Sequence, residues 1–144
     1  ARTQVGYWRT NTELWEHALS VADESYVAHT NLGLALYADG KADQSIAEFR
    51  AAIRIRPDFA EADNDLGVAL ANQGDRDGAI QAFLNAVAAK PTQAPSHFNA
   101  AVLLALKGDT AAAVTHLERA LQIDPNYADA RAELQKLRGP NTHP

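Results

Sequence analysis

Asn31-Leu32-Gly33-Leu34-Ala35-Leu36-Tyr37-Ala38-Asp39-Gly40 returns 34 residues later as Asp65-Leu66-Gly67-Val68-Ala69-Leu70-Ala71-Asn72-Gln73-Gly74. It returns again as Asn99-Ala100-Ala101-Val102-Leu103-Leu104-Ala105-Leu106-Lys107-Gly108. The recurrence extends beyond this block. Phe49, Phe83 and Leu117 share one register; Ala52, Ala86 and Ala120 share another; Pro57, Pro91 and Pro125 a third. A sustained period of about 34 residues marks stacked helix-turn-helix units, because a single helix pair cannot bury its apolar face alone.

With Tyr26 as the first position, the units run 26–59, 60–93 and 94–127. In each, the glycine at Gly40, Gly74 or Gly108 supplies a left-handed C-terminal cap for a first helix. A second helix stops ahead of the proline, which pushes its predecessor out of the helical region. Asp58 with Glu61, Thr92, and Asn126 with Asp129 are the expected caps and first-turn acids of the helices that follow. Pro95 falls in a first turn, where its missing N–H does little harm. Leu32, Leu36, Ile46, Phe49, Ile53 and Ile55 recur at helical spacing on buried faces. Phe49 is expected to wedge between helices, and Gly33, Gly67, Ala101, Ala52, Ala86 and Ala120 to mark close axis contacts.

The flanks read as partial units. A shift of 34 places Trp15 on the Phe49 register, and Thr10 with Glu13 has the form of a capping box, predicting a helix over 11–22. Residues 128–138 predict a capping helix that covers the last unit with Ala130, Leu134 and Leu137 and turns its charges to water. Residues 139–144 are expected to form a disordered tail. The expectation is a single all-α domain over 1–138.

Composition narrows the function. The chain has 144 residues, an apolar fraction of 47% and a formal net charge of −5. Its Lys and Arg are scattered, which argues against nucleic acid, since phosphate neutralisation needs them clustered. No stretch approaches the roughly 20 apolar residues that span a bilayer, so no direct membrane insertion is expected. Cysteine and methionine are absent and the chain opens on Ala1. It is therefore read as a piece of a longer protein whose compartment, cytoplasmic or extracytoplasmic, stays open.

These residues resemble the tetratricopeptide repeat: Leu-Gly at positions 7 and 8, Gly at 15, Ala at 20, an aromatic at 24, Ala at 27 and Pro at 32. Position 4 holds His29, Asp63 and His97; position 20 holds Ser45, Ala79 and Ala113. The third unit departs most, with Ala100-Ala101 for Leu-Gly and Leu117 for the aromatic. The resemblance implies a right-handed α-α superhelix of three full repeats, flanked by an N-terminal half-repeat helix and the capping helix. Gln4-Val5-Gly6-Tyr7-Trp8-Arg9, followed by Leu14-Trp15-Glu16-His17-Ala18-Leu19 and Ala28-His29-Thr30-Asn31-Leu32-Gly33, also resembles the junction at which such repeats follow the membrane region of bacterial glycosyltransferase-like proteins. That resemblance implies tethering to a membrane region upstream; in the simpler reading Tyr7 and Trp8 pack on the first helix.

The family implies a concave groove lined by first helices, with positions 2, 5, 6, 9, 12 and 13 facing it. The candidate peptide-binding residues are Asn31, Leu34, Tyr37, Asn64, Asp65, Val68, Asn72, Phe98, Asn99 and Val102. Asparagine amides both donate and accept, so Asn31 and Asn99 could hold a peptide backbone, while Tyr37 and Phe98 offer apolar anchors. Glu61, Asp65, Asp129 and Glu133 disfavour an acidic tail, and no carboxylate clamp is expected. The expected role is a non-catalytic module, mostly monomeric, that binds a protein or peptide. The alternatives are substrate recruitment for a larger membrane-embedded enzyme and self-assembly of repeat stacks.

Chemistry finds no foothold. No histidine pair stands at i, i+3 or i, i+4 and no cysteine helps, so no metal site is expected. His29 and His97 are read as interhelix packing residues, and His17 and His116 as facing solvent. No nucleophile elbow or phosphate-cradling loop is present. No catalytic residue and no cofactor are predicted.

Overall fold

The computed structural model describes residues 10–21 and 25–140, with side chains described at 10–17 and 25–140. These residues form eight helices and no strand: α1 (Asn11–Val21), α2 (Tyr26–Ala38), α3 (Ala42–Ile55), α4 (Ala60–Asn72), α5 (Arg76–Ala89), α6 (Ala94–Lys107), α7 (Thr110–Ile123) and α8 (Ala128–Arg138). Helices α2/α3, α4/α5 and α6/α7 are tight antiparallel hairpins, and each hairpin packs on the next. The result is an α-α superhelix. The expectations at Gln4–Arg9 and at residues 141–144 lie outside the described residues; before the latter, Gly139 ends α8.

The hairpin turns follow from backbone chemistry. Gly40, Gly74 and Gly108 adopt φ of 77°, 86° and 95°, a region where a Cβ is strained. Each lets its helix end in a paired 5→2 and 6→1 bond pattern, such as Asp75 N–H to Leu70 O at 2.9 Å and Gly74 N–H to Ala71 O at 3.0 Å. Side chains of Asp75 and Asp109 then accept from Gly78 and Ala112 N–H to start α5 and α7, and Ser25 does the same for α2. At α1, Thr10 Oγ1 accepts from Glu13 N–H at 3.1 Å, one half of the expected capping box.

The helices that open α4, α6 and α8 depart from expectation. Their N-cap residues are Phe59, Gln93 and Tyr127, and none makes a side-chain cap bond. Asp58, Thr92 and Asn126 fall one residue too early. A backbone turn closes first, Phe59 N–H to Arg56 O and Tyr127 N–H to Asp124 O. Asp58 pairs instead with Arg56.

Phe49 and Phe83 are almost wholly buried, each against a glycine of the facing helix. A Cβ placed on Gly33 or Gly67 would lie 2.6 Å from the ring of Phe49 or Phe83. Ala52, Ala86, Ala101 and Ala120 have no exposed surface, as close axis contacts require. In the third unit Ala101 faces Leu117, so the larger small residue accompanies the smaller large one. One continuous core runs from Ile46 to Leu134, and α8 closes it with Ala130 and Leu134.

Adjacent units are also strapped at the surface. Gln73 Nε2 donates to Asp43 at 2.6 Å, and Lys107 pairs with Asp77 at 2.7 Å. The two straps occupy the same register one repeat apart.

Candidate functional site

The first helices of two successive repeats, α4 and α6, frame two hollows. Their inner faces follow from the repeat register: positions turned away from the hairpin partner are those left to line the trough. Asn64 lies on the α4 side. Its Oδ1 accepts from Ser96 Oγ at 3.0 Å and from Asn99 Nδ2 at 3.5 Å, while its own amide NH2 makes no hydrogen bond among the described residues.

Beside Asn64 lies a cleft of about 230 Å³ walled by Glu61, Asp65, Gln93, Pro95 and Ser96. Glu61 is approached by Lys90 Nζ at 3.6 Å from the rim. Asp65 has no ion-pair partner among the described residues. Burial, and then the neighbouring Glu61 charge, pushes its carboxyl up to about 6.

Further along the same two helices is an apolar hollow of about 210 Å³. Val68, Ala71, Phe98, Val102 and Leu103 make its walls, with Asn72 and Asn99 at its edge. Phe98 is steadied by Tyr127, the ring centroids 5.2 Å apart.

Seven of the expected groove residues thus meet around the two hollows: Asn64, Asp65, Val68, Asn72, Phe98, Asn99 and Val102. Asn72 and Tyr37 meet each other, the Asn72 amide donating to the Tyr37 hydroxyl. Tyr37 packs on the core. Asn31 and Leu34 stand on α2 and line neither hollow; the asparagines that touch are Asn64 and Asn99. Ser96 and Gln93 line the cleft, Lys90 reaches its rim, and none of the three was singled out in the sequence. Their signal was available, since they border the start of α6, opposite Glu61 and Asp65.

The histidines correct a sequence expectation. His116 does not face solvent: it is half-buried, with Nδ1 at 3.1 Å from Nδ1 of His97. His97 donates Nε2–H to Pro91 O at 2.9 Å, which leaves its Nδ1 to accept from His116. Burial, and then the neighbouring His97 ring, lower the His116 pKa. The pair joins positions 4 and 23 of one unit, as His29 and Glu48 do at 2.6 Å in the first. In the second unit the same positions hold Asp63 and Ala82. Asp63 is 2% exposed and its Oδ2 has no hydrogen-bond partner among the described groups.

Among the described residues no group of three or more His, Asp or Glu side chains could hold a metal ion. None of the described helices is long and apolar enough to cross a membrane. Three hydroxyls bond within their own helices: Thr30 to Tyr26 O, Ser45 to Ala42 O and Thr115 to Ala111 O.

Two family models, each described as a tetratricopeptide repeat, match residues 30–95 and 94–127. Among solved structures, a crystal structure of MamA superposes with a TM-score of 0.81 at 18% identity, covering 88% of this chain and 74% of that one. YrrB, described as a TPR protein with an unusual peptide-binding site, gives 0.73 at 25% identity over 85% of this chain. This chain spans 63% of YrrB's length. The first TPR of Spaghetti (RPAP3), solved bound to an HSP90 peptide, gives 0.76 at 18% identity, covering 81% of this chain and 93% of that one. No curated protein matches the chain. The family matches begin at residue 30, so the membrane-protein junction expected at Gln4–Arg9 is outside them.

Proposed function

The chain belongs to the tetratricopeptide-repeat family, and from that premise we propose that it is a non-catalytic protein-interaction module that binds a peptide segment along α4 and α6. The observation that carries the reading is the pairing of the two hollows around Asn64. A wall of apolar side chains stands beside an amide that is held in place by Ser96 and Asn99 yet keeps its own donors free. Such an amide can bond a main-chain carbonyl without reading side chains, and the adjoining apolar hollow can take one anchoring side chain. A groove already fixed by stacked helices loses little conformational freedom on binding. YrrB's description as a peptide-binding protein and the peptide in the Spaghetti structure support the same use of the fold.

The test is peptide display against the wild type, an Asn64→Ala/Asn99→Ala variant, a Val102→Arg variant and an outer-face control, Gln81→Arg. Binders are expected to be lost with the first two variants and kept with the control. Binders insensitive to both groove variants would refute groove binding.

A further inference from the structure

We infer, building on the groove reading above, that the α4–α6 saddle takes a peptide segment carrying a lysine or arginine with a large apolar residue about three positions away. The cation sits between Glu61 and Asp65, and the apolar side chain covers Phe98, Val68 and Val102.

Charge complementarity carries the choice of occupant. Asp65 is half-buried and has no cation beside it among the described residues. The carboxylate of Glu61 stands close enough to make its ionisation harder. An incoming ammonium or guanidinium relieves both, and a hydrogen-bonded charge pair in a partly dry cleft counts for more than one on the surface. The other charged groups on this side do not cancel the field. Lys90 reaches Glu61 from the rim at 3.6 Å, and Lys136 on α8 is matched to Glu133 at 3.7 Å. Arg131 on α8 is bonded to the Pro125 carbonyl and does not line the cleft. Asp129, on α8, adds a further negative charge near Tyr127.

The spacing follows from the helices. The cleft is walled near Glu61–Asp65 and Pro95–Ser96, the hollow near Val68–Asn72 and Phe98–Leu103. At a rise of about 1.5 Å per helical residue their centres lie roughly 9 Å apart, which an extended chain crosses in about three residues. Asn64 lines the cleft and accepts from Asn99, which lines the hollow, so a peptide crossing from one to the other would pass over this pair. An acidic segment is disfavoured by the same geometry, because its carboxylate would meet Asp65, which has no described base beside it, and Glu61, which is offset only by Lys90 at the rim.

The experiment is selection from a random dodecapeptide phage library on the full chain, followed by fluorescence anisotropy with the best synthetic peptide. The expected result is enrichment of Lys or Arg about three residues from Leu, Phe or Tyr. Changing that cation to Glu should weaken binding at least roughly tenfold. A Glu61→Lys/Asp65→Lys variant should reverse the preference, and Asp65→Asn, which keeps the side-chain shape, should narrow it. Groove-dependent binders without a basic residue, or indifferent to its reversal, would overturn this inference and leave the groove reading standing. Binders unaffected by Val102→Arg, or no enrichment at all, would overturn both.

Discussion

Asp63 stands where the flanking units place His29 and His97, but the residue that should answer it across the hairpin is Ala82. Burial pushes its carboxyl up to about 6. The folded state therefore holds a proton between about pH 4 and 6 that the unfolded chain has released. Stability contributed by this group is greatest at low pH and is lost as pH rises through the folded value. A shift of this size corresponds to about 2–3 kcal/mol at neutral pH. Asp63→Asn is expected to raise the thermal midpoint at pH 7.5, with the gain shrinking by about 1 kcal/mol at pH 5; an equal gain at both pH values in thermal melts would contradict this. Asp65 titrates in the same direction and His116 in the opposite one, so the comparison is made within each pH. At Gly67 the issue is space. Gly67→Ala puts a methyl into the Phe83 ring and should cost about 1–3 kcal/mol. The third unit shows the remedy, Ala101 against Leu117. Adding Phe83→Leu should recover part of that cost, giving a favourable coupling energy in a double-mutant cycle by urea unfolding. Strict additivity would mean that the two do not share one volume.

Helix ends separate what the sequence disclosed from what it hid. The glycine stops and the prolines were readable because each acts through its own backbone. The starts of α4, α6 and α8 were not, because the turn that precedes them closes through main-chain bonds and moves Asp58, Thr92 and Asn126 out of reach of the first N–H groups. Asp75→Ala and Asp109→Ala should each cost about 1 kcal/mol in chemical denaturation. Asp58→Ala should cost within about 0.5 kcal/mol, because its partner Arg56 is an exposed ion-pair neighbour. A large effect at Asp58 would restore it as a cap. The His97–His116 contact was hidden for a related reason. A separation of 19 residues means nothing within one helix, and only the hairpin geometry brings positions 4 and 23 together. Once His29 and Glu48 are seen at the same separation, the rule becomes visible in the sequence.

For the molecule as a whole, the repeat period was enough to read the superhelix, because every helix packs on those beside it in the chain. The candidate site was only partly readable. Register placed Asn64, Asp65, Val68, Asn72, Phe98, Asn99 and Val102 on one side, but which of them enclose a hollow depends on side-chain reach between α4 and α6. Asn31 and Leu34 shared the register and fell outside. Stability in such an array is a sum of units and the contacts between them. Helix α1 packs on α2 and is further tied to it by Thr12 Oγ1 donating to Asp39 at 3.0 Å, whereas α4 to α7 are packed on both sides. Native-state hydrogen exchange should therefore show its greatest protection in α4–α7 and its least in α1; uniform protection along the chain would show a single cooperative block instead. The straps from Asp43 to Gln73 and from Asp77 to Lys107 add a further consequence. Each joins a unit to its successor by the same two places, so a gene duplication copying residues 60–93 would bring its own fastener. The lengthened protein would gain one more rung and one more seam, with every older seam left as it was.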